Sequence, residues 1–248
     1  MALYDQIGSS YSRTRLTDPR ILAKITSALE GCGRVLNVGA GTGSYEPEGR
    51  HVISVEPSSV MMKQRTGPFE GLRAVVEYLP FPDESFDAAM GVNTIHHWTD
   101  RVQGLREMRR VVKDRIVIFA WDQAKISKSW LLGDYFPASR ELASRRFVPL
   151  GIYKKVLGGS VDFVPVPVPW DCMDGSDGAY WRRPSEVLRE SVWRNLSILS
   201  LIPPDERAKG MRRLALELGN GTWKRKYGHL LKLNEFDYGF LLVVWRKR

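Results

Sequence analysis

Short apolar runs alternate with amphipathic stretches along the first half of the chain. Val35, Leu36 and Val38 form one run, and Val52 to Val55 form a second. Leu72 to Val76 reads as a third strand and Phe86 to Val92 as a fourth. Arg115 to Trp121 is apolar after its first residue, as a strand buried on both faces should be. Between the runs lie helical patterns. Ile21, Leu22, Ile25 and Leu29 recur at helical spacing behind Asp18-Pro19, a capping acid followed by proline in the first turn, and Gly31 is placed to stop that helix. Asp100 can cap another helix whose inner face carries Val102, Leu105, Met108 and Val112. Strand and helix alternating in this way predict an α/β domain on a parallel sheet.

The later strands follow from a backbone argument. Prolines occupy positions 165, 167 and 169, with Val164, Val166 and Val168 between them. Alternate residues of a strand point their amides toward the same neighbour, so the three missing donors face one side. Such a strand can pair along one edge only and belongs at the border of a sheet; an unpaired proline-rich loop is the alternative. Tyr238 to Trp245 is apolar at both parities and reads as a central strand. Residues 123–160 are expected to hold helices after the fifth strand. Residues 171–235 are long for a connection between neighbouring strands and predict an inserted helical cap, with one helix running from Asp205 through Met211, Leu214, Ala215 and Leu218. The expected division is a core of residues 1–170 plus 236–248 and a cap of 171–235.

Candidate chemistry begins where the first strand ends. Gly39, Gly41 and Gly43 let the backbone turn sharply and bring its amides toward a ligand at the carboxyl edge of the sheet. The second strand ends in Glu56, 17 positions after Gly39, near the ~20-residue spacing at which an acid meets ribose hydroxyls in nucleotide-binding units. A carboxylate can accept both hydrogen bonds of a vicinal diol.

These residues resemble the class I S-adenosylmethionine-dependent methyltransferases, specifically the type 11 group. Val35-Leu36-Asn37-Val38-Gly39-Ala40-Gly41-Thr42-Gly43 is similar to the family's first motif, and Val55-Glu56-Pro57-Ser58 with Met61 to its ribose-binding turn. The block from Ala74 to Asp87, containing Glu77 and Leu79-Pro80-Phe81, resembles the third motif. Asn93-Thr94-Ile95-His96-His97-Trp98 matches the segment after the fourth strand, and Leu105 to Val111 the helix that follows. The resemblance spans residues 10–121 and thins beyond them. It implies a Rossmann-like, doubly wound, mostly parallel seven-stranded sheet with an antiparallel last strand. It also implies S-adenosylmethionine as cofactor and S-adenosylhomocysteine as product. Tyr11 and Arg15 would hold the methionine end of the cofactor. Asn37, Gly39, Ala40, Gly41 and Gly43 would form its loop. Glu56, Pro57 and Met61 would hold its sugar side, and Val76, Glu77 and Asn93 the rest.

Two positions depart from the family pattern. Asn37 stands where an aspartate is usual, and Val75 where an acid often receives the adenine amino group. Adenine recognition then falls to Glu77, to the Val76 backbone or to apolar packing. These departures leave open a binding protein that kept the fold and lost catalysis. A nicotinamide-dependent oxidoreductase is the other alternative, but its fingerprint wants glycine at the sixth position, where Ser44 stands.

Composition narrows the class. An apolar fraction of 43% in 248 residues is ordinary for a globular protein. No segment approaches the ~20 apolar residues of a membrane span, and the first residues lack the pattern of a secretory signal. Two cysteines make no disulfide framework, and a cytoplasmic setting is expected. Net charge is +9, but residues 1–100 carry 9 basic and 12 acidic side chains while residues 101–248 carry 28 and 16. The basic half can attract an acidic small molecule or peptide, or can simply be a solvated surface. No nucleic-acid-binding module accompanies it, and no membrane partner is expected.

The expected activity is methyl transfer to a small-molecule or short-peptide acceptor, at oxygen or nitrogen rather than carbon, with His96 and His97 as the candidate proton acceptors. Adjacent loop residues point apart, so one ring is expected in the pocket; alternatively one caps a helix and the other packs on Trp98. Trp121, Asp171, Tyr180, Trp181 and Arg182 are the candidate acceptor contacts, since aromatic faces and arginine forks suit a planar or acidic group. The competing reading makes those aromatics the core of the cap. His51 and His229 stand apart, and no metal site is expected.

Overall fold

The computed structural model describes residues 15–126 and 128–247. Its centre is a seven-stranded sheet built from β1 (Arg34–Val38), β2 (His51–Val55), β3 (Glu70–Leu72), β4 (Phe86–Val92), β5 (Val112–Trp121), β6 (Ser160–Pro165) and β9 (Phe240–Arg246). A two-stranded ribbon, β7 (Val168–Pro169) with β8 (Glu235–Phe236), lies beside it. The strand order is β3-β2-β1-β4-β5-β9-β6. Within this sheet β9 runs antiparallel to both β5 and β6, and the other pairings are parallel. This is the Rossmann-like arrangement expected.

The proline argument is visible in the hydrogen bonds. The Val166 amide donates to Phe240 O at 2.9 Å, so the residues of that parity face β9. Pro165, of the opposite parity, turns its nitrogen to the open side, and β6 is an edge strand. β3 differs from expectation. It spans Glu70–Leu72, and Val76–Tyr78 forms a 3₁₀ turn instead of continuing a strand. Gly71 explains the register: it pairs with Ser54, where a Cβ would lie 2.7 Å from Ser54 O. Beyond it, Arg73 Nε donates to Pro57 O and the chain leaves the sheet.

Helix α1 (Pro19–Ala28) starts at the Asp18 cap, whose carboxylate accepts from the Arg20 amide. Helices α2 (Ser59–Met62) and α3 (Arg101–Val111) follow; Asp100 caps α3 through the amides of Val102 and Gln103. After β5 come α4 (Gln123–Ile126), a π-helical turn at Trp130–Tyr135, α5 (Ser139–Arg146) and α6 (Leu150–Leu157). Residues 171–235 contain α7 (Glu190–Trp193), α8 (Ser197–Leu201), α9 (Pro204–Gly219) and α10 (Thr222–Tyr227).

Period-two alternation divides the core into two layers. Ile116, Ile118, Leu241 and Val243 face α3 and α6, meeting Leu105, Met108, Tyr153 and Leu157. Val117, Phe119, Phe240 and Leu242 face the other way, into one layer shared with α1 and with Ala179, Trp181, Leu199, Leu214 and Trp223. The apolar residues of 171–235 are thus continuous with one face of the sheet. Among the described residues, no helix is long and apolar enough to cross a membrane.

Candidate active site

The glycine loop leaves β1 and lies against the end of β2. The amides of Gly39 and Ala40 both donate to Val55 O, at 2.8 and 3.0 Å. Gly39 has φ +66°, and a Cβ there would sit 1.9 Å from Thr94 Oγ1. Only glycine fits both the backbone and the space. The Gly41 amide donates to Glu56 Oε2 and the Ser58 amide to Glu56 Oε1, each at 2.8 Å. The buried Glu56 carboxylate is therefore held between the loop and the turn that opens α2.

Beneath the loop lies a charged pair that the sequence does not announce. Asn37 Nδ2 donates to Glu46 Oε1 at 2.9 Å, and Ser54 Oγ donates to the same oxygen at 2.8 Å. Arg65 Nη2 donates to Glu46 Oε2 at 2.5 Å, and its guanidinium lies over the Phe69 ring. An aspartate at position 37 would set two carboxylates against each other; asparagine donates instead.

At the end of β4, Asn93 adopts φ +50°, a conformation asparagine tolerates better than most residues. Both polar atoms of its side chain are buried without a hydrogen-bond partner. The 3₁₀ turn Ile95–His97 follows. It brings both imidazoles to the cavity, with ring centroids 3.9 Å apart, so the pair does not split as adjacent loop residues were expected to. Arg146 Nη2 lies 3.5 Å from His97 Nδ1. Burial, then the Arg146 and Arg15 cations, push His97 down to about 3; burial and the neighbouring His97 push His96 well below the usual range. Both rings are neutral at physiological pH and hold a proton poorly. Glu77 Oε1 accepts from the amides of Thr99 and Asp100, which fixes the chain entering α3.

These groups line one cavity of about 1050 Å³. Ligand pockets commonly measure about 300–1,000 Å³, so the space is ample for a nucleoside-sized ligand. Leu142 and Arg146 of α5, Leu201 of α8, and Asp174 complete its wall. Asp174 is buried and holds two partners: Arg15 Nε at 2.5 Å and the Tyr45 hydroxyl, which donates at 2.9 Å.

A putative methyltransferase from an antibiotic biosynthesis pathway of Anabaena variabilis superposes with a TM-score of 0.84 and is 33% identical over 93% of this chain and 98% of its own. The chain belongs to the class I methyltransferases. The model of the methyltransferase domain matches residues 31–119. Curated relatives match over shorter stretches. The demethylmenaquinone methyltransferase of Roseiflexus castenholzii is 35% identical over 99 residues, 35% of this chain and 41% of that protein. A tRNA (carboxymethyluridine(34)-5-O)-methyltransferase of Schizosaccharomyces pombe is 26% identical over 131 residues, 48% and 55% of the two chains. The chain spans about half the length of these curated relatives or less. Methyltransferases of this family take their methyl group from S-adenosylmethionine, and membership removes the nicotinamide alternative.

The cavity fits that cofactor. Glu56 is a fixed anionic acceptor beside the glycine loop, Met61 and Val76 are apolar neighbours for a planar base, and Asn37 Oδ1 and the Asn93 amide are buried polar atoms without partners. Of the expected cofactor residues, Arg15, Asn37, Gly39, Ala40, Gly41, Glu56, Pro57, Met61, Val76, Glu77 and Asn93 line it. Gly43 lies behind, over Arg65, and Tyr11 is outside the described residues. Arg15 reaches the cavity tied to Asp174.

The expected acceptor contacts lie elsewhere. Trp121 is buried, stacked on Phe147 and against Phe240. Trp181 is buried and donates to Val168 O. Tyr180 packs under Arg183, Arg182 lies over Trp170, and Asp171 pairs with Arg20 at the surface. The aromatics serve as the core that joins residues 171–235 to the sheet. Glu46, Arg65, Asp174, Arg146 and Leu201 are the residues that sequence reasoning missed. Asp174 lies three positions beyond Asp171 in the same segment, where only burial distinguishes the two.

Proposed function

We propose that the protein transfers the methyl group of S-adenosylmethionine to a small-molecule acceptor, at oxygen or nitrogen. The observation that carries this reading is the buried Glu56 carboxylate, pinned to the Gly41 amide at the carboxyl end of β1 and lining a cavity of about 1050 Å³. In this reading Glu56 receives the sugar hydroxyls, Met61, Val75 and Val76 enclose the base, and Asn37 with the loop holds the amino-acid end. The cofactor supplies an electrophilic methyl group. His96, His97, Leu142, Arg146 and Leu201 form the wall against which the acceptor is oriented, and residues 171–235 close that side as a cap. Orientation and exclusion of water can lower such a barrier by ~7–11 kcal/mol without any proton transfer.

The depressed imidazoles favour an acceptor that needs no strong base. Amines and oxyanions present a lone pair directly, whereas an unactivated carbon acid does not. The Asn37–Glu46 pairing weighs against a lapsed enzyme, because it restores charge under the loop that the asparagine alone would lack.

Calorimetry with S-adenosylhomocysteine tests the cofactor, and incubation with methyl-labelled S-adenosylmethionine and a metabolite extract tests transfer. Label in a small product recovered by mass spectrometry is expected. Saturable binding with no labelled product would leave a binding protein, and no binding would remove the reading.

A further inference from the structure

The Asn37 side chain is 1% exposed, lines the cavity, and has one amide atom committed and one not. Its orientation follows from its neighbour. Glu46 is an acceptor only, being paired with Arg65 at 2.5 Å, so the group facing it at 2.9 Å must be the Asn37 nitrogen. The Asn37 oxygen is thereby turned away from Glu46, and it is buried with no partner. An unmet buried acceptor is costly, and donating to a carboxylate makes an amide oxygen a stronger acceptor. The pair that sets this orientation is itself locked. The Arg65 side chain is 4% exposed, lies against Phe69, and sits so close to residue 43 that a Cβ there would be 3.1 Å from its central carbon.

We infer that Glu46 and Arg65 are positioning residues for the cofactor's ammonium group: they hold the Asn37 amide with its nitrogen on Glu46, leave its oxygen uncommitted for the ligand, and place a compensated negative charge one hydrogen bond behind it. This rests on the cofactor reading above. Neither Glu46 nor Arg65 lines the cavity, so neither touches the ligand. The charge that an acid at position 37 would carry sits at position 46. Replacing Glu46 by a neutral residue leaves the buried Arg65 cation uncompensated on the side where a cationic ligand group must bind.

The test uses three ligands titrated calorimetrically into the full chain. S-adenosylhomocysteine carries ammonium and carboxylate, its decarboxylated analogue carries the ammonium alone, and 5′-methylthioadenosine carries neither. E46Q is expected to weaken the first two by about tenfold, as loss of a charge-assisted contact does, and the third by less than about twofold. Asn37→Leu, which leaves Glu46 paired with Arg65 and Ser54, is expected to show the same pattern. N37D should bind the amine-bearing ligands poorly, and N37D/E46Q should recover them, since the acid has then only changed places. Melting temperatures of each variant establish that it is folded. Equal weakening of all three ligands, or a double variant no better than N37D, overturns the inference. If the wild-type chain binds none of the three, the cofactor reading itself has failed; if it binds and the pattern is absent, only this inference falls.

Discussion

Gly39 and Thr94 are packed so closely that a single methyl group on residue 39 would lie 1.9 Å from the threonine oxygen. This contact joins the loop after β1 to the turn after β4, the two walls between which a ligand must rest. Gly39→Ala meets both the clash and a left-handed φ, and is expected to destabilise the chain by roughly 3 kcal/mol or more. Urea unfolding measures it. Adding Thr94→Gly removes the clashing atoms and should restore part of the loss but not the backbone strain.

Glu56→Gln keeps the shape of the side chain and one oxygen for the loop amides. The other end of the amide sets its N–H against a backbone N–H, so stability is expected to fall by about 1–3 kcal/mol. Affinity for S-adenosylhomocysteine is expected to fall by roughly 1.5–3 kcal/mol, the range for hydrogen bonds to a charged group. Calorimetry decides it; unchanged affinity would place the sugar elsewhere.

Asp174 is the buried anion that ties Arg15 and Tyr45 together. Burial and the Asp174 charge raise the Tyr45 hydroxyl, so it remains a donor. Asp174→Ala leaves a mostly buried arginine without its carboxylate and is expected to cost about 3 kcal/mol, while Tyr45→Phe should cost about 1 kcal/mol. Thermal denaturation of both single variants and the double variant separates the two contacts by their coupling.

Acid should weaken the fold through the imidazoles. His97 titrates near 6.5 when unfolded and at about 3 when folded, so between those values the unfolded chain binds the extra proton. Stability from this group is therefore lost as pH falls below 6.5, by about 2 kcal/mol at pH 5. The raised carboxyl of buried Asp177 acts in the opposite direction, stabilising the folded chain as pH falls through its own range. The informative measurement is thus the difference in slope of melting temperature against pH between wild type and His97→Asn. Parallel slopes would show that His97 is not the source.

What could be read in advance was what local patterning controls. The prolines at 165 and 167 fix where β6 may sit, because a missing amide has the same consequence in any sheet. The glycines and Glu56 announce a ligand loop because their spacing is imposed by one turn and one neighbouring strand. The third strand was misplaced because its register depends on Gly71 fitting under Ser54, a contact between distant residues. The aromatics at 121, 180 and 181 were assigned to a ligand because composition cannot tell a pocket wall from a core; here the sheet face opposite α3 consumes Trp121 and Trp181. Asn37 reads as a weakened motif in sequence because its hydrogen-bond partner Glu46, nine positions away, is placed there by the fold of the loop.

The layer that Trp181 and Trp223 share with Phe119 and Phe240 belongs to the sheet as much as to residues 171–235. Swinging that region outward as a hinged door would expose this aromatic seam to water. Opening of residues 171–235 would therefore carry the cost of wetting several large buried rings, which ties any movement of that region to the integrity of the sheet face itself.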